Sequence, residues 1–141
     1  MRKLLIADSS DDMCYVLKLA FQKEFEVSTC RDGLTALALI KGMRPDILIL
    51  DLFLPQLDGL TLLQQLQGNL PPVILVSTYC TSPYTYQMAT DRGAGYILIR
   101  PFKASTAYGH IMDLIKLHFK APSHFHGSPL CHSRPLDPAG I

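Results

Sequence analysis

Apolar runs alternate with amphipathic stretches along the first 120 residues of the 141-residue chain. Five short runs, most of them almost continuously apolar, are typical of strands that are buried on both faces of a parallel sheet. These predicted strands are residues 3–7, 26–30, 46–50, 72–76 and 95–99. Apolar residues between and after them recur at the spacing of packed helices. This pattern predicts helices over about 10–24, 34–41, 59–67, 83–92 and 101–120.

This order of elements predicts an α/β fold. Five strands that alternate with five helices form a (βα)5 unit, and right-handed crossovers turn that unit into a doubly wound parallel sheet. We expect the five strands in the flavodoxin-like order 2-1-3-4-5. In such a sheet the ligand crevice lies at the carboxyl ends of strands 1 and 3. Candidate functional residues are therefore expected at that edge.

The last 21 residues, 121–141, differ in composition from the rest of the chain. They contain four prolines, three histidines and three serines, and they show no apolar period. Such a segment cannot bury enough surface to offset the entropy lost on ordering. We therefore expect one domain over residues 1–120, followed by a disordered linker or a tail of cloning origin.

Composition and charge exclude several classes of protein. Hydrophobic residues make up 48% of the chain and charged residues 18%, which is too apolar for a mostly disordered protein. Thirteen Lys and Arg balance twelve Asp and Glu, so no basic field favours direct nucleic-acid binding. No apolar run approaches the roughly 18 residues that a membrane span needs. Four scattered cysteines without a CxxC spacing favour a reduced, cytoplasmic protein.

Polar residues follow four of the predicted strands at the expected crevice. Two are acids, one is a hydroxyl and one is a cation: Asp8, Asp51, Ser77 and Arg100. Two carboxylates and a backbone carbonyl are hard oxygen ligands that suit Mg²⁺. A carboxylate beside such a cation can attack a phosphoryl group, while a hydroxyl and a fixed cation hold the transferred oxygens. The edge therefore predicts an aspartyl-phosphate site.

The segment from Asp51 to Leu60, DLFLPQLDGL, has a DxxxPxxDG spacing after a buried strand. With the Arg100-Pro-Phe end of the fifth strand and its cis-proline-type junction, it resembles the signature of bacterial two-component response-regulator receiver domains. The resemblance covers about residues 2–120. Within that family, residues 93–102 and the final helix look most similar to receivers of the sporulation master regulator, the stage zero sporulation protein A type. Full-length proteins of that type continue into a DNA-binding domain that regulates transcription, so we expect either a fragment or a stand-alone receiver.

The resemblance assigns roles to individual residues. Asp51 is the expected phosphoacceptor, and Asp8 is the expected acid of a Mg²⁺ pocket whose third ligand is the backbone carbonyl of Phe53. Ser77 stands where the family has the switch hydroxyl that hydrogen-bonds the phosphoryl group. Thr78 follows it, near the expected position of the phosphoryl oxygens. The resemblance implies self-phosphorylation and self-dephosphorylation rather than turnover of a substrate.

Three positions depart from the family's pattern. Ser9 replaces the second of two adjacent acids, so it is at most a weak metal ligand, and we expect weak Mg²⁺ binding. Arg100 replaces an almost fixed lysine, which exchanges a compact ammonium for a wide planar fork. Ile97 stands where the family has a switch aromatic.

Two functions are compatible with these residues. The first is a phosphorelay receiver that takes a phosphoryl group from a histidine kinase or a histidine phosphotransferase and pairs as a homodimer through helix 4, strand 5 and helix 5. The second is a pseudo-receiver, a docking or dimerisation module with weakened or no phosphorylation.

Simpler explanations exist for single residues. Asp8 and Asp51 could merely end their strands, and Arg100 could form a surface ion pair. A haloacid-dehalogenase-like phosphatase is disfavoured, because it needs a second acid where Phe53 stands.

Overall fold

A computed structural model describes residues 1–79 and 82–120 of the protein, and the predicted tail at 121–141 lies outside them. Five strands form one parallel sheet in the order β2-β1-β3-β4-β5. The strands are β1 Arg2–Ala7, β2 Phe25–Cys30, β3 Ile47–Asp51, β4 Val73–Thr78 and β5 Tyr96–Ile99. The predicted fold class and strand order are confirmed.

Helices cover both faces of the sheet. They are α1 Asp11–Phe21, α2 Gly33–Met43, α3 Gly59–Gln65, α4 Pro83–Asp91 and α5 Ala104–Ile115, and a π-helical turn, Lys116–Lys120, extends α5. One apolar core joins α2, α3 and α4 to one face of the sheet, and a second joins α1 and α5 to the other face. Every residue of the central strands β3 and β4 is buried between these layers. This burial explains why both strands lack an alternating polar pattern.

Polar side chains fix where four of the helices begin. Each cap residue accepts a hydrogen bond from the backbone amide three positions later: Ser10 in α1, Asp32 in α2, Asp58 in α3 and Ser82 in α4. Such caps satisfy an amide that has no partner within the helix. In α1 the cap is Ser10, the second of two adjacent serines. Asp58 directly precedes Gly59, the first residue of α3, so it ends the loop and caps the helix.

The start of the last helix was predicted wrongly at Pro101. The Arg100–Pro101 peptide bond is cis, and α5 begins only at Ala104. Residues 101–103 form a connection in which Phe102 packs against the core under α1 and α5. Pro101 therefore lies in the loop before α5 and is not the first residue of the helix.

Two glycines allow the loop after β3 to pack closely. A Cβ atom on Gly59 would lie 2.7 Å from the Cα atom of Leu52, and one on Gly33 would lie 1.8 Å from the carbonyl oxygen of Leu57. The Gly59 amide also donates to the Leu52 carbonyl at 2.8 Å. The segment that carries Asp51 is thereby held against the beginnings of α2 and α3.

Candidate functional site

The carboxyl edge of the sheet collects the predicted polar residues. Asp51 ends β3 and lies opposite Ser77 in the register of β4. Asp8 follows β1, and Arg100 follows β5. Asp8, Asp51 and two β4 residues, Ser77 and Thr78, make up the buried polar residues of the described chain. Side chains separated by up to 92 positions in sequence are thus brought together.

Arg100 bridges two other side chains of this group. Its Nη1 atom donates to Asp8 Oδ2 at 2.8 Å and to Ser77 Oγ at 3.0 Å. Its Nη2 atom lies 3.5 Å from Asp8 Oδ1. The Arg100 side chain is only 7% exposed and that of Asp8 only 1%. The interpretation of Arg100 as a surface ion pair is therefore wrong, because the pair is buried.

The charge of Arg100 is stabilised inside the protein. Burial by itself lowers the pKa of Arg100, but the hydrogen bond and negative charge of Asp8 outweigh it and raise the pKa above its ordinary value. Interactions with Tyr79 and the charge of Asp51 act in the same direction. The guanidinium therefore stays protonated at every physiological pH.

The Asp51 carboxylate is held mainly by nearby N–H and O–H groups. The Phe53 amide donates to Oδ1 at 2.9 Å. The Ser9 hydroxyl and amide lie farther from Oδ2, at 3.3 and 3.4 Å. Asp51 is 5% exposed, so only a small part of it faces solvent. Ser9 thus contacts the predicted phosphoacceptor directly, as a hydrogen-bond donor.

Tyr79 belongs to this group and was not identified from the sequence. The Arg100 Cζ atom lies 5.2 Å from the centroid of the Tyr79 ring, within the range of a cation–π contact. The ring is on the surface, since Tyr79 is 68% exposed. Its position directly after Ser77 and Thr78 was the only signal in the sequence. An exposed aromatic ring therefore lies over a buried cation at the end of β4.

The chain matches the family model of the response regulator receiver domain over residues 4–111. It belongs to this family. The receiver domain of the Francisella response regulator 1452 has a TM-score of 0.75 at 24% identity, a likeness of fold, with 83% of this chain and 98% of that chain covered. The Vibrio cholerae chemotaxis protein CheY4 has a TM-score of 0.72 at 30% identity, with 81% and 98% covered. NtrX from Brucella abortus has a TM-score of 0.74 at 25% identity. That match covers 83% of this chain but only 28% of the NtrX chain.

Other residues near the receiver site contact Asp51 and Arg100 through backbone atoms or not at all. Thr78 is the last residue of β4, and its carbonyl accepts a hydrogen bond from the Arg100 amide at 2.9 Å. Phe53 contributes its amide to Asp51, while its side chain is exposed. Asp11 does not join the site, because it pairs with Arg31 at 2.9 Å on the surface. Asp11 lies in the first turn of α1, where the helix dipole favours an acid.

Receiver domains generally bind Mg²⁺ at the phosphorylation site, but the donors of this receiver fit that ion poorly. Within residues 1–79 and 82–120, no group of three or more His, Cys, Asp or Glu side chains could hold a metal ion. Asp8 Oδ2 contacts the Arg100 guanidinium, and Asp8 Oδ1 accepts the Ser10 amide at 2.9 Å. The two carboxylates are thus already engaged, one of them by a permanent cation.

Two further predictions concern parts of the receiver away from the site. Cys14 and Cys30 are buried free thiols, and burial raises the pKa of both, that of Cys30 to about 11. They are therefore unreactive core residues, whereas Cys80 and Cys131 lie outside the described residues. Among the helices described, none combines the length and apolar character required to cross a bilayer.

Proposed function

We propose that this receiver accepts a phosphoryl group on Asp51 from a phosphohistidine of a histidine kinase or a histidine phosphotransferase. The observation that carries the proposal is the buried guanidinium near Asp51. The Nε atom of Arg100 is buried and has no hydrogen-bond partner among the described residues. A buried donor without a partner is costly, and a phosphoryl oxygen would satisfy it. The negative charge of Asp51 also contributes to the raised pKa of Arg100, so the two groups interact across the edge of the sheet.

The proposed transfer uses the groups already described. An oxygen of the Asp51 carboxylate attacks phosphorus, a new O–P bond forms, and the N–P bond of the donor breaks with its electron pair left on the imidazole nitrogen. The Phe53 amide orients the carboxylate. The Arg100 guanidinium and the Ser77 hydroxyl supply donors for the transferred oxygens. Phosphorylation would thus redistribute hydrogen bonds that now join Arg100 to Asp8 and Ser77.

Acetyl phosphate or phosphoramidate tests this assignment by intact mass. We expect the parent to gain the mass of one phosphoryl group and Asp51→Asn to gain none. Asp12→Asn is the matched control, because Asp12 is an exposed carboxylate of α1, and it should be modified like the parent. If Asp51→Asn gains the same mass as the parent, or if the parent gains none, Asp51 is not the phosphoacceptor.

A second function is supported by the same ion pair. The Arg100–Asp8 pair forms without any contact to Asp51, as a pseudo-receiver that docks or dimerises constitutively would require. The surface formed by α4, β5 and α5 is the proposed homodimer face in either case. A receiver that dimerises equally well with and without a phosphodonor would favour this second function.

Narrower expectations from the sequence stay predictions. The matches support the receiver family, and neither the sporulation-type resemblance nor a role in transcription regulation has further support. The absence of direct nucleic-acid binding and a cytoplasmic location likewise rest on composition alone. The Mg²⁺ expected at Asp8, Asp51, the Phe53 carbonyl and weakly at Ser9 conflicts with the contacts of Asp8.

A further inference from the structure

We propose that the Arg100 guanidinium is the resident cation of the Asp8 pocket, so that this receiver neither binds nor requires a divalent metal there. The part of this inference that concerns phosphorylation rests on the proposed function, and the part that concerns metal binding does not.

The first argument is the number of acids. Asp8 and Asp51 are the two carboxylates of the site, and Ser9 stands where a third would be expected. The Ser9 hydroxyl lies 3.3 Å from Asp51 Oδ2 as a donor, so it adds no negative charge. Two carboxylates and one guanidinium leave a single net negative charge. A divalent ion would overcompensate that charge and would lie next to a cation of like sign.

The second argument is that both carboxylate oxygens of Asp8 already accept hydrogen bonds. One of its oxygens contacts Arg100 Nη1 at 2.8 Å, and the other accepts the Ser10 amide at 2.9 Å. A metal ion at Asp8 would have to displace the guanidinium from a carboxylate that is 1% exposed. Removing one partner of such a pair leaves an uncompensated buried charge, which proteins tolerate poorly. The pair therefore competes directly with any metal.

The third argument is the shape of arginine. A guanidinium has five N–H donors in a planar fork, whereas an ammonium is a compact point charge. Here Nη1 donates to both Asp8 and Ser77, and Nε has no acceptor among the described residues. Tyr79 covers the guanidinium with its ring. One arginine thus neutralises the Asp8 pocket and still has a donor for an incoming oxygen.

Mn²⁺ is the probe for metal binding. The decisive measurement is made on the unmodified full chain. In NMR spectra of the parent, we expect Mn²⁺ to broaden the amide signals of Ser9 and Phe53 no more than those of exposed residues far from the site. Preferential broadening at these two amides would overturn the proposal.

Variants sharpen the same test. Arg100→Gln removes the cation and frees Asp8, so it should bind Mn²⁺ at least tenfold more tightly than the parent by electron paramagnetic resonance of free Mn²⁺. Adding Asp8→Asn should abolish that gain. An affinity of Arg100→Gln equal to that of the parent would contradict the proposal, provided that its circular dichroism spectrum is native.

Phosphorylation supplies a separate readout. If the parent gains phosphoryl mass from acetyl phosphate equally with Mg²⁺ and with EDTA, the inference holds. A gain that requires Mg²⁺ would overturn it. A parent that gains no mass in either buffer would refute the phosphoacceptor function, while the Mn²⁺ measurements would still decide the metal question.

Discussion

The two halves of the functional edge are held in different ways. In the half formed by β1 and β3, backbone amides fix the acids: the Ser10 amide holds Asp8 and the Phe53 amide holds Asp51, both at 2.9 Å. In the half formed by β4 and β5, Ser77 and Arg100 are joined through side-chain atoms. A backbone amide can donate whatever side chain its residue carries, whereas a side-chain network changes with each substitution.

Departures from the receiver pattern follow this division. Arg100 and Ile97 both lie in the β4–β5 half, where side chains determine the arrangement. Ser9 is the exception in the other half, and its amide still contacts Asp51 whatever its side chain is. The comparison teaches that the candidate nucleophile is positioned independently of the groups that would respond to its modification. The two halves meet in one ion pair, Asp8 with Arg100.

Breaking that ion pair should have the largest effect. Arg100→Gln and Asp8→Asn each leave the opposite charge buried without a partner, and we expect each to lower the free energy of unfolding by about 3–5 kcal/mol. The double variant should cost less than the sum, because it leaves neither charge. Urea unfolding measures all three.

The control for this pair is an ion pair of the same chemistry on the surface. Asp11 and Arg31 lie 2.9 Å apart with side chains that are 80% and 51% exposed. Asp11→Asn should therefore cost less than about 1 kcal/mol. Similar losses for Asp8→Asn and Asp11→Asn would mean that the Arg100–Asp8 pair is not buried in solution.

Ser77 tests whether the β4–β5 half transmits the modification. We expect phosphorylation of Asp51 to strengthen self-association through α4, β5 and α5. One or two charge-assisted hydrogen bonds supply about 2–4 kcal/mol, which shifts a two-state population by roughly 30- to 1,000-fold. Ser77→Ala should remove most of this gain while Asp51 is still phosphorylated. Sedimentation with and without phosphodonor measures both proteins.

Ser28→Ala, in the edge strand β2, makes the same chemical change away from the site and should associate like the parent. Because Ile97 replaces the usual aromatic, a ring rotation at that position cannot carry the signal. If the phosphorylated parent associates no more than the unphosphorylated protein, the pseudo-receiver function or another partner is favoured.

The sequence predicts backbone features of this receiver better than its side-chain network. The buried strands and the capping residues Ser10 and Asp58 are local signals, so the fold and most helix starts follow from them. The start of α5 does not, because Phe102 packs into the core and residues 101–103 become a connection. The contact between Arg100 and Asp8 depends on the reach of a long side chain across 92 positions. The contribution of Tyr79 likewise depends on where the Arg100 guanidinium lies.

Two glycines compare a closely packed backbone beside Asp51 with an open position on a helix. Gly59 lies beside Asp51, and a Cβ there would approach the Leu52 Cα atom to 2.7 Å and the Asp51 carbonyl oxygen to 2.9 Å. Because backbone atoms cannot give way as a flexible side chain can, Gly59→Ala should cost about 1–3 kcal/mol of unfolding free energy. It should also slow phosphorylation, since the loop that orients Asp51 must shift.

Gly109 is the control position, in α5 and outside the strands that form the functional edge. It is exposed in the interior of α5, and a Cβ there would meet nothing within 4 Å. Gly109→Ala should therefore stabilise the receiver by about 0.5–1 kcal/mol, because alanine loses less conformational freedom than glycine when the helix forms. Thermal unfolding and the rate of mass gain from acetyl phosphate measure both variants. A Gly59→Ala protein that is as stable and as quickly phosphorylated as Gly109→Ala would show that the β3 loop does not position Asp51. The proposed division of the edge would then fail, because its backbone-held half would tolerate a shift of the backbone.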